Sequence, residues 1–227
     1  MKIPLTWQYI VAFFCLGALL GIGHELGHHV AGFLVCGEWG YKTFNSFVLA
    51  KGCADRHPNT HWLPTLAGPV LFNYLPMWIG YFQMRKADVG ARLFGVSLVL
   101  ATVPIMRIAF SFLGANDEPW VVAHLFGDSR ASFWLMNLCI WGLASPPLIL
   151  AWRTITNRAK PLVFLLFFLG VPIVVFILFG LVLEPLITQH HVLADTVWGM
   201  PYMVLLAEAV ATLGYAILKP HLRRPAS

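Results

Sequence analysis

The chain has 227 residues, of which 59% are hydrophobic and only 11% charged, against about 25% charged in an ordinary soluble domain. Together with a mean hydropathy of +0.73, this composition excludes a soluble globular protein and indicates an integral membrane protein. The net charge of +5 does not indicate nucleic acid, because the 15 Lys and Arg residues stand at the ends of apolar runs rather than in one patch.

The first apolar run extends from about Trp7 to Cys36. Its beginning resembles a signal peptide, with Lys2 ahead of an apolar stretch and small residues at Gly17, Ala18 and Gly21. The run nevertheless continues straight through His24 to His29, so a retained first span is expected. The pairs Gly17/Gly21 and Gly23/Gly27 offer flat faces to neighbouring helices. Residues 37 to 61 form a polar connection in which the stretch Lys42 to Ala50 reads as a short hairpin or a re-entrant piece. Cys36 and Cys53 bracket the first loop and can pair if it faces an oxidising compartment, whereas Cys15 and Cys139 lie inside apolar runs, where inert packing is expected.

Second and third spans are expected from about Trp62 to Met84 and from about Arg92 to Leu113, each near the roughly 20 residues a bilayer needs. The charged turn Arg85-Lys86-Ala87-Asp88 joins them. Gly114-Ala115-Asn116-Asp117-Glu118-Pro119 is the densest acidic cluster, and a short amphipathic stretch leads from it to Arg130. Three further spans fall at about 131 to 152, 162 to 183 and 198 to 218. The fold class is therefore an all-α integral membrane protein with about six transmembrane helices in one polytopic domain, residues 1–227. Ten basic residues fall on the side of the termini and four on the other, which places both termini in the cytoplasm. A bacterial cytoplasmic membrane is the expected location.

The chemistry concentrates in His24-Glu25-Leu26-Gly27-His28-His29. An ionisable residue at membrane depth is costly unless it is paired, hydrated or metal-bound, and four of them occur here within six positions. On a helix, His24 and His28 stand one turn apart on one face, the spacing that lets two imidazoles share a metal ion. Glu25 projects about 100° further round, where a carboxylate can take the proton of a water that the metal has acidified. His29 is expected to hydrogen-bond around the ligands. A catalytic zinc takes a third protein ligand. Asp117 is the first choice, Glu118 the near alternative and Asp195, in a loop with His190 and His191, the distant one. The same Asn116 to Pro119 stretch also reads as a cap before a short helix.

His24-Glu25-Leu26-Gly27-His28 within a span, Ala67-Gly68-Pro69 in the second, and an Asn-Asp element at the third together resemble the site-2 protease family of intramembrane zinc metalloproteases. The resemblance covers roughly residues 10 to 125. It implies a three-helix metalloprotease core over about residues 7–125, with accessory helices over about 131–218. It further implies one Zn2+ per chain held by His24, His28 and Asp117, Glu25 as the general base, and Gly68, Pro69, Asn73 and Asn116 lining the substrate side. The substrate would be a membrane protein or peptide within the lipid bilayer, with no nucleic acid involved. The chain departs from the family in three ways: Asn116-Asp117 is followed by Glu118-Pro119 where the family carries Leu-Asp-Gly, Asn73 follows Pro69 at a longer spacing than the family's Asn follows its Pro, and the charge count runs the first helix in the opposite direction. Two other readings stay open. His24-x-x-x-His28-His29, His57-x-x-x-His61 and His190-His191 are similar to the histidine boxes of membrane di-iron desaturases and hydroxylases. A non-enzymatic metal or proton transporter, or a membrane scaffold, would also use intramembrane histidines.

Overall fold

The structure, a computed structural model, describes residues 1–224 and is mostly helical. Helix α1, Trp7–Cys36, is a single 30-residue rod. Its start is fixed by Thr6, whose side chain accepts from the Tyr9 amide, and its end by Gly37, whose left-handed backbone (φ 73°) turns the chain out of the helix. A hairpin follows, β1 (Tyr41–Lys42) antiparallel to β2 (Phe47–Val48), and then the single turn α2, Cys53–Arg56. Cys36 and Cys53 are disulfide-bonded, which ties the base of the hairpin to the end of α1.

Residues 63–84 form α3, whose middle, Pro69–Tyr74, is wound as a π-helix. Next come α4 (Val89–Phe110), the short α5 (Asp117–Phe126), α6 (Arg130–Thr154) and α7 (Lys160–Thr188). A second small hairpin, β3 (Thr196–Val197) with β4 (Met200–Pro201), leads into α8, Tyr202–Arg223. The two hairpins meet where the Lys42 amide donates to the Gly199 carbonyl at 3.0 Å.

Among the described residues five helices, α1, α4, α6, α7 and α8, are long and apolar enough to cross a membrane. The expected count of six is not reached by that measure. A helix does occupy the position of the second expected span, but Pro64, Pro69, Asn73, Tyr74 and Pro76 dilute the apolar character of α3. The third expected span begins three residues earlier than expected and is interrupted at Thr102 and Val103. Leu34, Leu135, Leu162, Val210 and Ile217 are all more than half exposed. A soluble monomer rarely shows such a surface, and a lipid-facing one requires it.

Helices α1, α3 and α4 are packed closely. The approach of α3 to α4 is set by Gly80 and Gly95, where a Cβ on either would come within 2.7 Å of the other's carbonyl oxygen. At one end of the molecule the N-terminal amine donates to the Thr154 carbonyl at 2.6 Å and the Ile3 amide to Asn157 Oδ1 at 2.8 Å. The Arg223 guanidinium there lies over the Phe94 ring at 5.1 Å and the Lys160 ammonium over Trp152 at 4.5 Å. The chain start, the α6–α7 link, the start of α4 and the end of α8 thus share one strongly basic end. The hairpins, α2 and the disulfide lie at the other.

Candidate metal centre

His24 and His28 stand one turn apart on α1, and both are buried. His28 lies eight residues short of Cys36, about 12 Å of helix, so the site sits towards the end opposite the basic one. Of the two glycine pairs on α1, the second is the one in use. Gly27 meets Gly68 of α3, and a Cβ on Gly68 would stand 2.6 Å from both His28 Nε2 and the His24 carbonyl oxygen. Glycine at 68 lets the α3 backbone lie directly against the imidazoles.

That approach sets the proton positions on both rings. His28 Nδ1 is 2.7 Å from the Pro64 carbonyl, which can only accept, so Nδ1 donates. Asn73 Nδ2 donates to the Thr102 carbonyl at 2.8 Å, which turns Asn73 Oδ1 towards His24 Nδ1 at 2.7 Å, and that nitrogen also donates. The Thr102 carbonyl is free because the helix breaks immediately after it. Val103 has a left-handed backbone (φ 52°), Pro104 has no N–H, and the Met106 amide bonds to Val103 rather than to Thr102. Outward-donating Nδ1 groups of this kind orient metal-binding histidines.

With the ring protons on Nδ1, both Nε2 atoms of neutral rings present lone pairs, and they face each other at 3.0 Å. Asp117 adds Oδ2 at 3.2 Å from His24 Nε2 and Oδ1 at 3.5 Å from His28 Nε2. Two lone-pair nitrogens and a carboxylate converging in this way call for positive charge at their centre. Ligand atoms around a tetrahedral zinc ion stand about 3.3 Å apart, so the donor set and its spacing fit zinc. His24, Glu25 and His28 each offer a ligand atom, and these atoms all lie within 4.8 Å of one another. Glu25 is therefore beside the same point.

Asp117 is the first residue of α5, where a negative charge is favoured by the helix dipole. Asn116 holds the preceding turn, donating from Nδ2 to the Met106 carbonyl at 2.7 Å and to Ser111 Oγ at 3.1 Å. Arg107 Nη1 donates to Asp117 Oδ2 at 2.9 Å and to Glu118 Oε2 at 3.3 Å. The Tyr74 hydroxyl donates to Glu118 Oε1 at 2.7 Å. Burial alone would raise the Asp117 carboxyl, but with no ion between them the hydrogen bond and charge that His24 supplies in its protonated form, together with His28 and Arg107, hold it well below the usual carboxylate range. The stability linked to this shift is fully present above the ordinary value of about 3.9 and is lost as pH falls through the depressed folded value.

A cleft of about 420 Å3 opens beside the site. Its walls are apolar, with Ile22, Phe44, Met106 and Phe176 among them, and its polar groups include His24, Glu25, Asn73 and Arg107. Phe47 of the first hairpin stacks on the His28 ring at 4.6 Å. The other residues singled out by sequence fall as follows. Pro69 is buried where the π-helical part of α3 begins. Asn73 lines the cleft, yet its hydrogen bonds go to His24 and Thr102, so it acts on the ring rather than being free for substrate. Asn116 is likewise taken up by Met106 and Ser111. Glu118 answers Arg107 and Tyr74, and not the histidines. His29 turns away from the ligand cluster, bonding to the Trp198 carbonyl at 2.7 Å and stacking on Trp39 at 5.0 Å. Asp195 belongs to the second hairpin, where its carbonyl accepts from Tyr202.

Arg107 and Tyr74 belong to no motif in the sequence. A solitary cation inside an apolar run, ten residues before Asp117, is the signal that marks Arg107. Comparison of the chain with protein-family models, with curated proteins and with solved structures gives no match.

Proposed function

We propose that this chain is an intramembrane zinc metalloprotease, a divergent relative of the site-2 protease family, with its core in α1, α3, α4 and the start of α5. The observation that carries the reading is the convergence of His24 Nε2, His28 Nε2 and the Asp117 carboxylate at 3.0 to 3.5 Å, with both Nδ1 atoms donating outward. Zinc held by these three side chains would supply Lewis acidity, making a water more acidic and a peptide carbonyl more electrophilic. Glu25 accepts the proton of the attacking water and delivers it to the leaving amine. Asn73 and Pro64 keep the two imidazoles in the orientation needed, and Arg107 keeps the Asp117 carboxylate there. The apolar cleft excludes bulk water and suits an unwound, apolar segment of a membrane-embedded or membrane-adjacent substrate, whose carbonyls are no longer hydrogen-bonded in a helix.

The di-iron reading needs further histidine boxes around the same point, and His57, His61, His190 and His191 join no such group. Two features support one orientation. The basic end, which holds the chain start and the end of α8, would face the cytoplasm of a bacterial cell, and the Cys36–Cys53 bridge would then lie on the oxidising side.

The test is Glu25→Gln in the full chain reconstituted in lipid with a membrane-peptide library. Cleavage is expected to fall by about 100-fold to 10,000-fold while zinc content stays at that of the unaltered chain. Undiminished cleavage, or zinc-dependent transport that survives this substitution with no proteolysis at all, contradicts the reading.

A further inference from the structure

A second pair of histidines lies outside the centre described above. His61, in the connection between α2 and α3, meets His124, on the last turn of α5. Their rings are 4.7 Å apart at an interplanar angle of 81°. The His24 and His28 rings are 4.5 Å apart at 88°, so the outer pair reproduces the edge-to-face arrangement of the inner one. Only one ring of the outer pair is oriented by a hydrogen bond. His61 Nδ1 is 3.2 Å from the His57 carbonyl, which accepts, so His61 Nε2 is left as the free lone pair. His124 is held by stacking on Trp120, one turn earlier on α5, with ring centroids 5.6 Å apart and planes within 5°. Unlike the inner pair, His124 is exposed and His61 only half-buried, so solvent ions reach both.

We propose that His61 and His124 form a second, exchangeable site for a borderline divalent transition-metal ion such as Ni2+, Cu2+ or Zn2+, with water completing the coordination sphere. Imidazole nitrogens suit these ions, whereas Ca2+ and Mg2+ require oxygen ligands that this pair does not supply. The pair joins two separate elements. An ion held there fastens the connection ahead of α3 to α5, the helix whose first residue is Asp117. The two centres are seven residues apart along α5, about 10 Å. Occupancy of the outer site therefore steadies the helix that presents Asp117 to the inner one.

The existence of the outer site does not depend on the inner one, and the experiment keeps them apart. The full chain in detergent micelles, carrying His24→Ala and His28→Ala, is titrated with Ni2+ by calorimetry. One equivalent is expected to bind, and adding His61→Ala or His124→Ala should weaken it by at least about tenfold. The unaltered chain, titrated with Cu2+ to saturation, provides a second measurement should the double variant not fold. It should take up one equivalent more than the His61→Ala, His124→Ala chain, and the electron paramagnetic resonance spectrum of that additional ion should show coupled imidazole nitrogens. Absence of a Ni2+ equivalent in the folded double variant, or binding and spectra indifferent to His61 and His124, overturns the proposal.

Discussion

The inner and outer histidine pairs have almost the same ring geometry and opposite surroundings. His24 and His28 are buried, each Nδ1 is occupied by an acceptor from α3, and a carboxylate closes the third side. His61 and His124 stand in or near solvent with one orienting bond and an aromatic neighbour. What separates a candidate catalytic centre from an exchangeable surface site is thus the frame around the imidazoles rather than the imidazoles themselves. In the buried site that frame sets protonation, spacing and charge before any ion arrives, and at the surface, water does most of that work.

Substitutions in the frame sharpen this contrast. The largest effect is expected for Gly68→Ala, because the added methyl would stand 2.6 Å from His28 Nε2 with the α1 backbone equally close. Overpacking of this kind costs about 1 to 3 kcal/mol, and here it must be relieved by moving His28 or separating α1 from α3. Zinc at the inner site should drop below the level detectable by elemental analysis after gel filtration, with Ni2+ binding at the outer pair unchanged. A parallel loss at both sites would mean that the substitution unfolds the chain rather than the frame.

Arg107→Gln is expected to act less severely. It removes the donor to Asp117 Oδ2 and leaves Glu118 with Tyr74 alone. Inner-site zinc affinity, measured by competition with a chromogenic chelator, should weaken by about 10-fold to 100-fold, with partial recovery in Arg107→Lys. Unaltered affinity in Arg107→Gln would show that Asp117 is held by its position at the start of α5 and not by the guanidinium.

The contrast between the pairs also shows what the sequence could convey. His24, Glu25 and His28 are legible because their relation is set by one helix, and helical spacing is a local property. Asp117 could be singled out because an acidic turn beside an apolar run has few roles. The bounds of α1 follow from a continuous apolar run ending at Gly37, and a hairpin at Lys42 to Ala50 was one of two expected forms.

The partners of these residues are another matter. Asn73 reaches His24 only because the helix break at Val103 frees the Thr102 carbonyl, and no periodicity announces a single left-handed residue. Spacing pairs His61 with His57, whereas its ring partner is His124, 63 positions further on. Lys42 stands in the polar connection after α1, but its side chain is fully buried and its ammonium lies 3.0 Å from Glu208 on the last helix. Burial pulls the Lys42 ammonium below its usual range, and the charge of Glu208 pushes back. Contacts of this sort are created by packing between distant elements, and composition along the chain carries little trace of them.

X-ray absorption at the zinc edge tests the central claim most directly. The sample is the full chain carrying His61→Ala and His124→Ala, so that only the inner site reports, loaded with one equivalent of zinc and compared with the same chain carrying Asp117→Asn. Two imidazole nitrogens at about 2.0 to 2.1 Å with oxygen neighbours are expected, and the oxygen shell should change in the Asp117→Asn sample. A spectrum lacking the imidazole pair, or one that Asp117→Asn leaves identical, would contradict the assignment of His24, His28 and Asp117 as the metal-binding set.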